Sequence, residues 1–343
     1  MSDPALGTGV FLLGGIAAAL YLLPFRWVRG WRYETGWLVS VLIGWLAWPL
    51  AFDAVVAPGT LDIVLARPGL IARTVGFGVL WGVGALCWAL MVRYLGIGLG
   101  LGIGAGLCAA TGTLLPPICT GHAADLIATP SARMVLCGVG IALLGIVAVG
   151  LAGRLKEGEM SEEAKKKSVA EFNFRKGLVT ALIAGVASAG INFGLQGAPE
   201  LEKAALDAGC SPTWAGMPVL TVVLWGGVLT QLIWSLHQHC KNHSFGNYFN
   251  FSTSQLLNLC LSVAVGIIGV MQFVLQKAGE PLMGEFRYIS FAVLMSSTVF
   301  FSAILGVFLG EWRGTSVRTK ALLSCGIVIL AGGFTVMALG QML

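Results

Sequence analysis

Ten apolar stretches of about 20 residues, separated by short charged segments, run through this chain almost from end to end. Each is long enough to cross the hydrocarbon core of a bilayer as an α-helix. Charged residues make up only 11% of the chain, against about 25% in soluble domains. A transmembrane β-barrel would show shorter segments of alternating hydrophobicity, so the pattern predicts an all-α polytopic membrane protein. The predicted spans are 7–25, 34–56, 70–92, 95–117, 133–153, 176–196, 214–236, 254–276, 288–310 and 319–341.

The fourth of these stretches carries a glycine at every second position. In a helix that advances ~100° per residue, these glycines form two bare stripes on opposite faces. An interior Gly costs roughly 1 kcal/mol relative to Ala in water, whereas in a bilayer small residues let helices approach closely. A soluble strand is the alternative, although strands disfavour interior Gly. We expect this stretch to form a closely packed helix. The helix-packing residues are Gly96, Gly98, Gly100, Gly102, Gly104 and Gly106.

The distribution of basic residues predicts the orientation of the chain. Fifteen of the 21 Lys and Arg residues fall on one side of the ten predicted spans. By the positive-inside rule that side is cytoplasmic, so both termini are expected outside. Because the net charge of +5 lies in loops that flank the membrane, it indicates contact with the lipid bilayer and gives no indication of nucleic-acid binding.

A charged segment and an internal repeat divide the chain into two halves. Residues 154–175 form the predicted cytoplasmic linker between a first five-helix half, 1–153, and a second, 176–343. A shift of 188 residues aligns Gly138 with Gly326 and Gly145 with Gly333. Five spans per half give the halves opposite polarity, an arrangement common in secondary transporters. Chance matching among glycine-rich helices is the alternative explanation.

Several short motifs occur in an order that is specific across the ten spans. The sequence resembles the L-rhamnose/proton symporter family of the drug/metabolite transporter superfamily over nearly its whole length. The chain departs from the family's usual residues at Asp53, at 237–250 and at 279–287. The motifs are Pro24-Phe25, Glu34-Thr35, Trp81-Gly82, Arg93-Tyr94-Leu95-Gly96, Gly112-Thr113-Leu114, Arg133-Met134, Glu171-Phe172-Asn173, Lys176-Gly177-Leu178, Gln272-Phe273, Tyr288-Ile289-Ser290 and Glu311-Trp312.

The resemblance implies ten helices in two inverted five-helix repeats within a bacterial inner membrane. It also implies proton-coupled import of L-rhamnose or a related 6-deoxy-sugar by alternating access, with no cofactor. An exporter or exchanger of another small metabolite on the same fold is the alternative. Neither an HExxH motif nor a Ser and His arrangement supports catalysis, so an enzyme is not expected. The oligomeric state stays open.

A neutral sugar needs amide or hydroxyl side chains beside aromatic rings. A buried amide in lipid must be hydrogen-bonded, which directs it toward a binding site or toward a contact between helices. For the amides the choice between these two roles stays open, and Trp81 could simply pack in the core. The substrate-binding candidates are Trp81, Asn192, Gln196, Gln272, Tyr288 and Ser290.

Proton coupling requires a carboxylate or histidine held partly out of water. The predicted spans carry no central acid, and the candidates therefore lie near span ends. Glu34 and Glu311 match the family, and pairing with Arg93 or another arginine as a gate or structural cluster is the favoured alternative to proton carriage. Asp53 lacks a family match.

The histidines and cysteine of the loop after the seventh span have donor types that suit a transition metal. They have no second cluster to complete a site, so no metal is expected. The glycine run likewise contains a GxGxxG-like spacing without the strand that a nucleotide site requires. The residues of the loop are His237, His239, Cys240 and His243.

Overall fold

The computed structural model describes residues 3–119, 121, 123–159, 174–249, 253–310, 312–340 and 343. Its secondary structure within these ranges is helical, without strands, as predicted. Nine helices in the described part are long and apolar enough to cross a membrane. The α-helices are α1 (Pro4–Leu20), α2 (Tyr33–Val41), α3 (Trp48–Val56), α4 (Thr60–Leu65), α5 (Pro68–Cys119), α6 (Asp125–Ala128), α7 (Pro130–Glu159), α8 (Phe174–Ser188), α9 (Gly190–Gln196), α10 (Pro199–Asp207), α11 (Met217–Asn242), α12 (Thr253–Gly279), α13 (Ser290–Phe308) and α14 (Val317–Gly340).

Two predicted spans are interrupted helices in the structure. The second span consists of α2, a π-helical turn over Leu42–Ala47, and α3. The sixth span breaks at Ala189, which separates α8 from α9. Such irregular turns inside membrane helices are tolerated where neighbouring helices surround them. Both interruptions lie among the packed helices, where Ala189 is fully buried.

The eighth span extends farther than its hydropathy predicts. Helix α12 continues to Gly279, and a 3-10 helix over Glu280–Ile289 then leads into α13. Gly284 within this connection has a φ of 56°, a left-handed conformation that glycine adopts without steric cost. The turn at Gly284 brings the chain back toward the end of α12, so that Arg287 lies near Glu280.

A single element, α5, covers the predicted third and fourth spans. A straight helix would separate Met91 from Gly104 by about 20 Å, at 1.5 Å per residue. A Cβ on Gly104 would instead meet the Met91 Sδ at 2.6 Å and Trp88 at 3.2 Å. The two legs of α5 therefore lie side by side, and α8 packs on both, with Ser188 near Gly84 and Gly185 near Leu107. The surroundings of the other five glycines of the run lie outside the described residues.

Glycines create the close contact between α7 and α14. Gly138 faces Met337 and Gly145 faces Leu330, while Gly326 faces Val149 and Gly333 faces Ala142. A small residue at each of these positions lets the helices approach closely, which is how association works in a bilayer. All four glycines that the 188-residue shift aligns thus lie in one antiparallel helix contact.

Candidate functional site

Helix α12 carries two polar side chains into the bundle near its C-terminal end. Gln276 and Lys277 are 0% and 2% exposed, and Glu280, at the start of the following 3-10 helix, is 1% exposed. Gln276 lies four positions and Lys277 three positions before Glu280, so that Gln276 and Glu280 share one face of the helix. A Cβ on Gly216 would collide with the Lys277 stem. Glycine at 216 therefore provides the space that this lysine occupies.

Two cations and two carboxylates form an ion cluster around Lys277. The Lys277 Nζ lies 2.6 Å from the Glu280 Oε2 and 3.5 Å from the Glu202 Oε2. The Arg287 Nη2 donates to both Glu202 carboxylate oxygens at 2.8 Å and to the Glu280 Oε2 at 3.3 Å. The charges balance, which is what allows ionised groups to remain in a place of low dielectric. Helix α10 contributes Glu202, so the cluster joins α10 to the end of α12.

Neutral polar groups continue this cluster toward the centre of the bundle. The Gln276 Nε2 donates to the Asn192 Oδ1 at 3.2 Å, to the Ser290 Oγ at 3.4 Å and to the Glu280 Oε1 at 3.5 Å. Ser290 itself donates to the Glu280 Oε1 at 3.4 Å, and the Asn192 Nδ2 donates to the Gly112 carbonyl of α5. We call Asn192, Gln276, Lys277, Glu280 and Ser290 the interior polar network.

One acceptor of the interior polar network has no partner among the described residues. The Gln276 Oε1 is buried and makes no hydrogen bond within the described structure. An unsatisfied buried acceptor costs about 1–3 kcal/mol. This carboxamide therefore offers a position at which a hydroxyl of a ligand would relieve that cost.

An aromatic cluster adjoins the interior polar network one helical turn earlier on α12. Trp81 lies 4.5 Å from Trp45 and 5.4 Å from Phe273, measured between ring centroids. The π-helical turn carries Trp45, and Gly227 of α11 packs directly against both indoles. Rings and amides thus occur together, the combination that a sugar site requires. Trp81 is itself only 7% exposed and packs in the core.

Gln231 of α11 links α2 to α5 beside the aromatic cluster. Its Oε1 accepts from the Trp37 Nε1 at 3.0 Å, and its Nε2 donates to the Gly82 carbonyl at 3.0 Å. The residue is 1% exposed. These contacts satisfy one donor and the acceptor of the amide, and they hold α2, α5 and α11 together.

The structure separates the sequence-based candidates. Asn192 and Ser290 meet in the interior polar network, and Trp81 lies in the adjoining aromatic cluster. Gln196 is exposed, although it follows Asn192 by four positions. Gln272 is partly buried and donates to the carbonyl of Gly269 in its own helix at 2.7 Å. Glu311 and the side chains of Arg93 and Tyr288 lie outside the described residues.

Glu34 lies at the opposite end of the bundle in a second polar cluster. Its Oε1 accepts from the Asn242 Nδ2 at 2.9 Å and from the Ser244 Oγ at 2.8 Å. The Ser244 Oγ also lies 2.7 Å from the Nδ1 of His239, whose Nε2 is 2.9 Å from the Tyr248 hydroxyl. Burial, followed by the charge of Glu34, raises the pKa of Tyr248 to about 12. Tyr248 is therefore a neutral donor at physiological pH.

Asp53 and His239 have protein partners, and His237, His239 and Cys240 lie in α11 rather than in the predicted loop. The Asp53 Oδ2 accepts from the Thr221 hydroxyl at 2.7 Å, which joins α3 to α11. His239 is stacked on Phe245 and bonded as described above. Among the described residues, no group of three or more potential ligands is placed to hold a metal ion.

Sequence reasoning missed Gln276, Lys277, Glu280 and Glu202. The predicted eighth and sixth spans end at residues 276 and 196, so three of these residues fell into presumed loops. A signal was present in the sequence, because a Lys and a Glu three positions apart directly follow the apolar run. An ion pair at that spacing can remain inside a membrane helix and extend it.

Comparisons with known proteins confirm the family that the sequence resembles. The model of the L-rhamnose-proton symport protein family matches residues 2–342. A protein of Salmonella gallinarum called L-rhamnose-proton symporter is 33% identical over 98% of both chains, and one of Escherichia coli with the same name is 32% identical over 98% of both. One solved crystal structure covers 98% of both chains with a TM-score of 0.52. At 17% identity that likeness concerns the fold alone.

Proposed function

The chain belongs to the L-rhamnose-proton symport protein family, whose members are transporters rather than enzymes, and we propose that it imports L-rhamnose or a related 6-deoxy-sugar together with a proton. The observation that supports this most directly is the buried bond between Asn192 and Gln276, beside aromatic rings and next to an ion cluster. That arrangement combines the groups that bind a neutral sugar with groups that can respond to a proton.

For the architecture we propose ten spans in two inverted halves, 1–153 and 176–343, joined by the linker 154–175. Helix α1 packs on α12 and α13, just as α8 packs on the two legs of α5. Gly78 of α5 meets Gly226 of α11, and Gly266 of α12, 188 residues after Gly78, meets Gly44. Each of these contacts in one half thus has an equivalent contact in the other half, as expected of an inverted repeat.

Alternating access follows from this arrangement. The two proposed halves would rock about their shared contacts, so that the interior polar network faces each side of the membrane in turn. In the bacterial inner membrane, with both termini outside, the ion cluster would lie toward the outer side and Glu34 toward the cytoplasm. The glycine run would serve as a packing surface of the fourth span.

The proposed sugar site contains Asn192, Gln276 and Ser290, with Trp81 beside them. Tyr288 and Gln272 flank it in the sequence and are retained as candidates, whereas the exposed Gln196 is left out. Arg93 and Glu311 are retained with Glu34 as gate candidates.

Uptake of labelled L-rhamnose into proteoliposomes tests the proposed function. With an acidic exterior we expect accumulation that a protonophore abolishes, because the proton gradient drives uphill entry of the sugar. Liposomes without protein are the control. Uptake that is indifferent to the gradient would contradict symport, and failure to transport any 6-deoxy-sugar would favour an exporter or exchanger.

Glu34 is proposed as part of the gate at its end of the bundle. The variant Glu34→Gln keeps an acceptor oxygen for Asn242 and Ser244 but removes the charge that strengthens those bonds, worth about 1 kcal/mol. We expect a severalfold lower rate of uptake with an unchanged number of protons per sugar, measured as sugar-driven alkalinisation. Loss of proton movement at preserved sugar flux would instead make Glu34 the proton carrier.

A further inference from the structure

The interior polar network contains a carboxylate that touches both the ion cluster and the neutral amides. The Glu280 Oε2 pairs with Lys277 at 2.6 Å, while its Oε1 lies 3.5 Å from the Gln276 Nε2 and 3.4 Å from the Ser290 Oγ. Glu202, by comparison, is engaged by Arg287 at both oxygens. Glu280 is therefore the acid that contacts both the charged and the neutral parts of the network.

We propose that Glu280 is the proton-binding group of transport and that Gln276 couples its protonation to the sugar. This rests on the proposed function. A proton from water at the exposed edge of the cluster, where the Arg287 side chain is 43% exposed, binds the Glu280 carboxylate and makes it a neutral acid. Lys277 keeps its own proton and pairs with Glu202, 3.5 Å away. On the other side of the membrane the same proton returns to water.

The Gln276 carboxamide supplies the physical coupling. Beside an ionised Glu280 it must present its Nε2 as the donor, as it does in the structure, and its Oε1 then has no partner in the described part of the chain. A protonated Glu280 is a donor, so the amide can turn its Oε1 toward the acid. Its Nε2 then leaves the Asn192 Oδ1 and the Ser290 Oγ as well as Glu280. The amide thus presents its acceptor Oε1 to the sugar when Glu280 is ionised and its donor Nε2 when Glu280 is protonated. Sugar affinity consequently depends on the occupancy of Glu280.

Few groups near Glu280 can accept the proton in its place. The charged groups that face Glu280 are Lys277 and Arg287, and Glu202 faces both cations from α10. From α1, Gly7 lies against Met283 of this connection. Helix α13 contributes the hydroxyl of Ser290. Among the described residues, the carboxylates that can accept the proton in this cluster are thus Glu280 and Glu202.

The test is the pH dependence of L-rhamnose binding and transport by Glu280→Gln in proteoliposomes. For the wild type we expect the affinity for L-rhamnose to differ about tenfold between pH 5 and pH 8, because proton and sugar binding are reciprocally linked. Glu280→Gln should bind L-rhamnose with the same affinity at both pH values, exchange sugar across the membrane, and lose accumulation driven by the gradient. Glu200→Gln removes an acid whose side chain is 60% exposed and should behave as the wild type.

A double variant keeps the test decisive if Glu280→Gln does not fold. Lys277→Met with Glu280→Gln removes one charge of each sign and leaves the Arg287–Glu202 pair intact, and it should show the same loss of pH dependence. A pH-dependent affinity or gradient-driven accumulation in the folded variant would overturn this inference while leaving symport standing. A wild type that accumulates no 6-deoxy-sugar would overturn the proposed function and, with it, this inference.

Discussion

Lys277→Met is expected to destabilise the protein by about 3–5 kcal/mol, the cost of breaking a buried ion pair from one side. The substitution leaves the carboxylate of Glu280, 2% exposed in its side chain, without the cation that lies 2.6 Å away. Arg287, at 3.3 Å from the same oxygen, is half exposed and already engaged by Glu202. It therefore compensates only in part. The measurement is the loss of folded protein in detergent on heating or in denaturant.

A second substitution separates charge from packing in this prediction. Lys277→Met combined with Glu280→Gln removes both charges and should recover a large part of the lost stability, since a neutral pair carries no uncompensated charge. Arg73→Met is the matched control, because the Arg73–Glu200 pair spans 4.0 Å with side chains 53% and 60% exposed. Such a surface pair contributes about 0–1 kcal/mol. A single Lys277→Met variant as stable as the Arg73 control would refute the importance of the buried pair.

Asn192→Leu is expected to raise the KM for L-rhamnose tenfold or more. The substitution removes an amide that is 0% exposed and leaves both the Gly112 carbonyl and the Gln276 Nε2 without this partner. An unsatisfied buried group costs about 1–3 kcal/mol, and 1.4 kcal/mol corresponds to a factor of ten. The same change also frees Gln276 to turn, so the amide is no longer presented to the sugar in one orientation. Initial rates of uptake at several sugar concentrations give the KM.

Gln196→Leu is the matched control for this prediction, because it lies one helical turn farther along α9 and is exposed. We expect its KM to stay within about twofold of the wild type, as for a surface substitution. If Asn192→Leu fails to fold, Ser290→Ala tests the same network by deleting one hydroxyl without a change of shape. Equal increases in KM for the variants at positions 192 and 196 would contradict this prediction and would favour a site on the helix face that both residues share.

The positions of the spans were predictable because hydropathy is a local property of the chain. Each predicted span other than 70–92 and 95–117 coincides to within about six residues with a helix or a broken helix, because about 20 apolar residues in lipid form a helix. The two exceptions are parts of α5, and the contact of Gly104 with Met91 shows that they lie side by side. The family was predictable as well, because its short motifs occur in order along the chain.

The composition of the site was predictable only in part. The chemistry of Asn192, Ser290 and Trp81 makes them candidates, and the structure brings the first two into one network. Burial, however, depends on which neighbours arrive from distant parts of the chain. The sequence cannot distinguish the buried Asn192 from the exposed Gln196, because both occupy the same helix face by spacing alone.

The sequence by itself determined the helices, the membrane as their solvent and the family. It did so because the lengths of the apolar stretches and the order of the motifs are properties of the linear sequence. Only the tertiary structure decided that Lys277 and Glu280 lie inside the bundle. Their charges are tolerable there because Glu202 and Arg287 arrive from other segments to balance them.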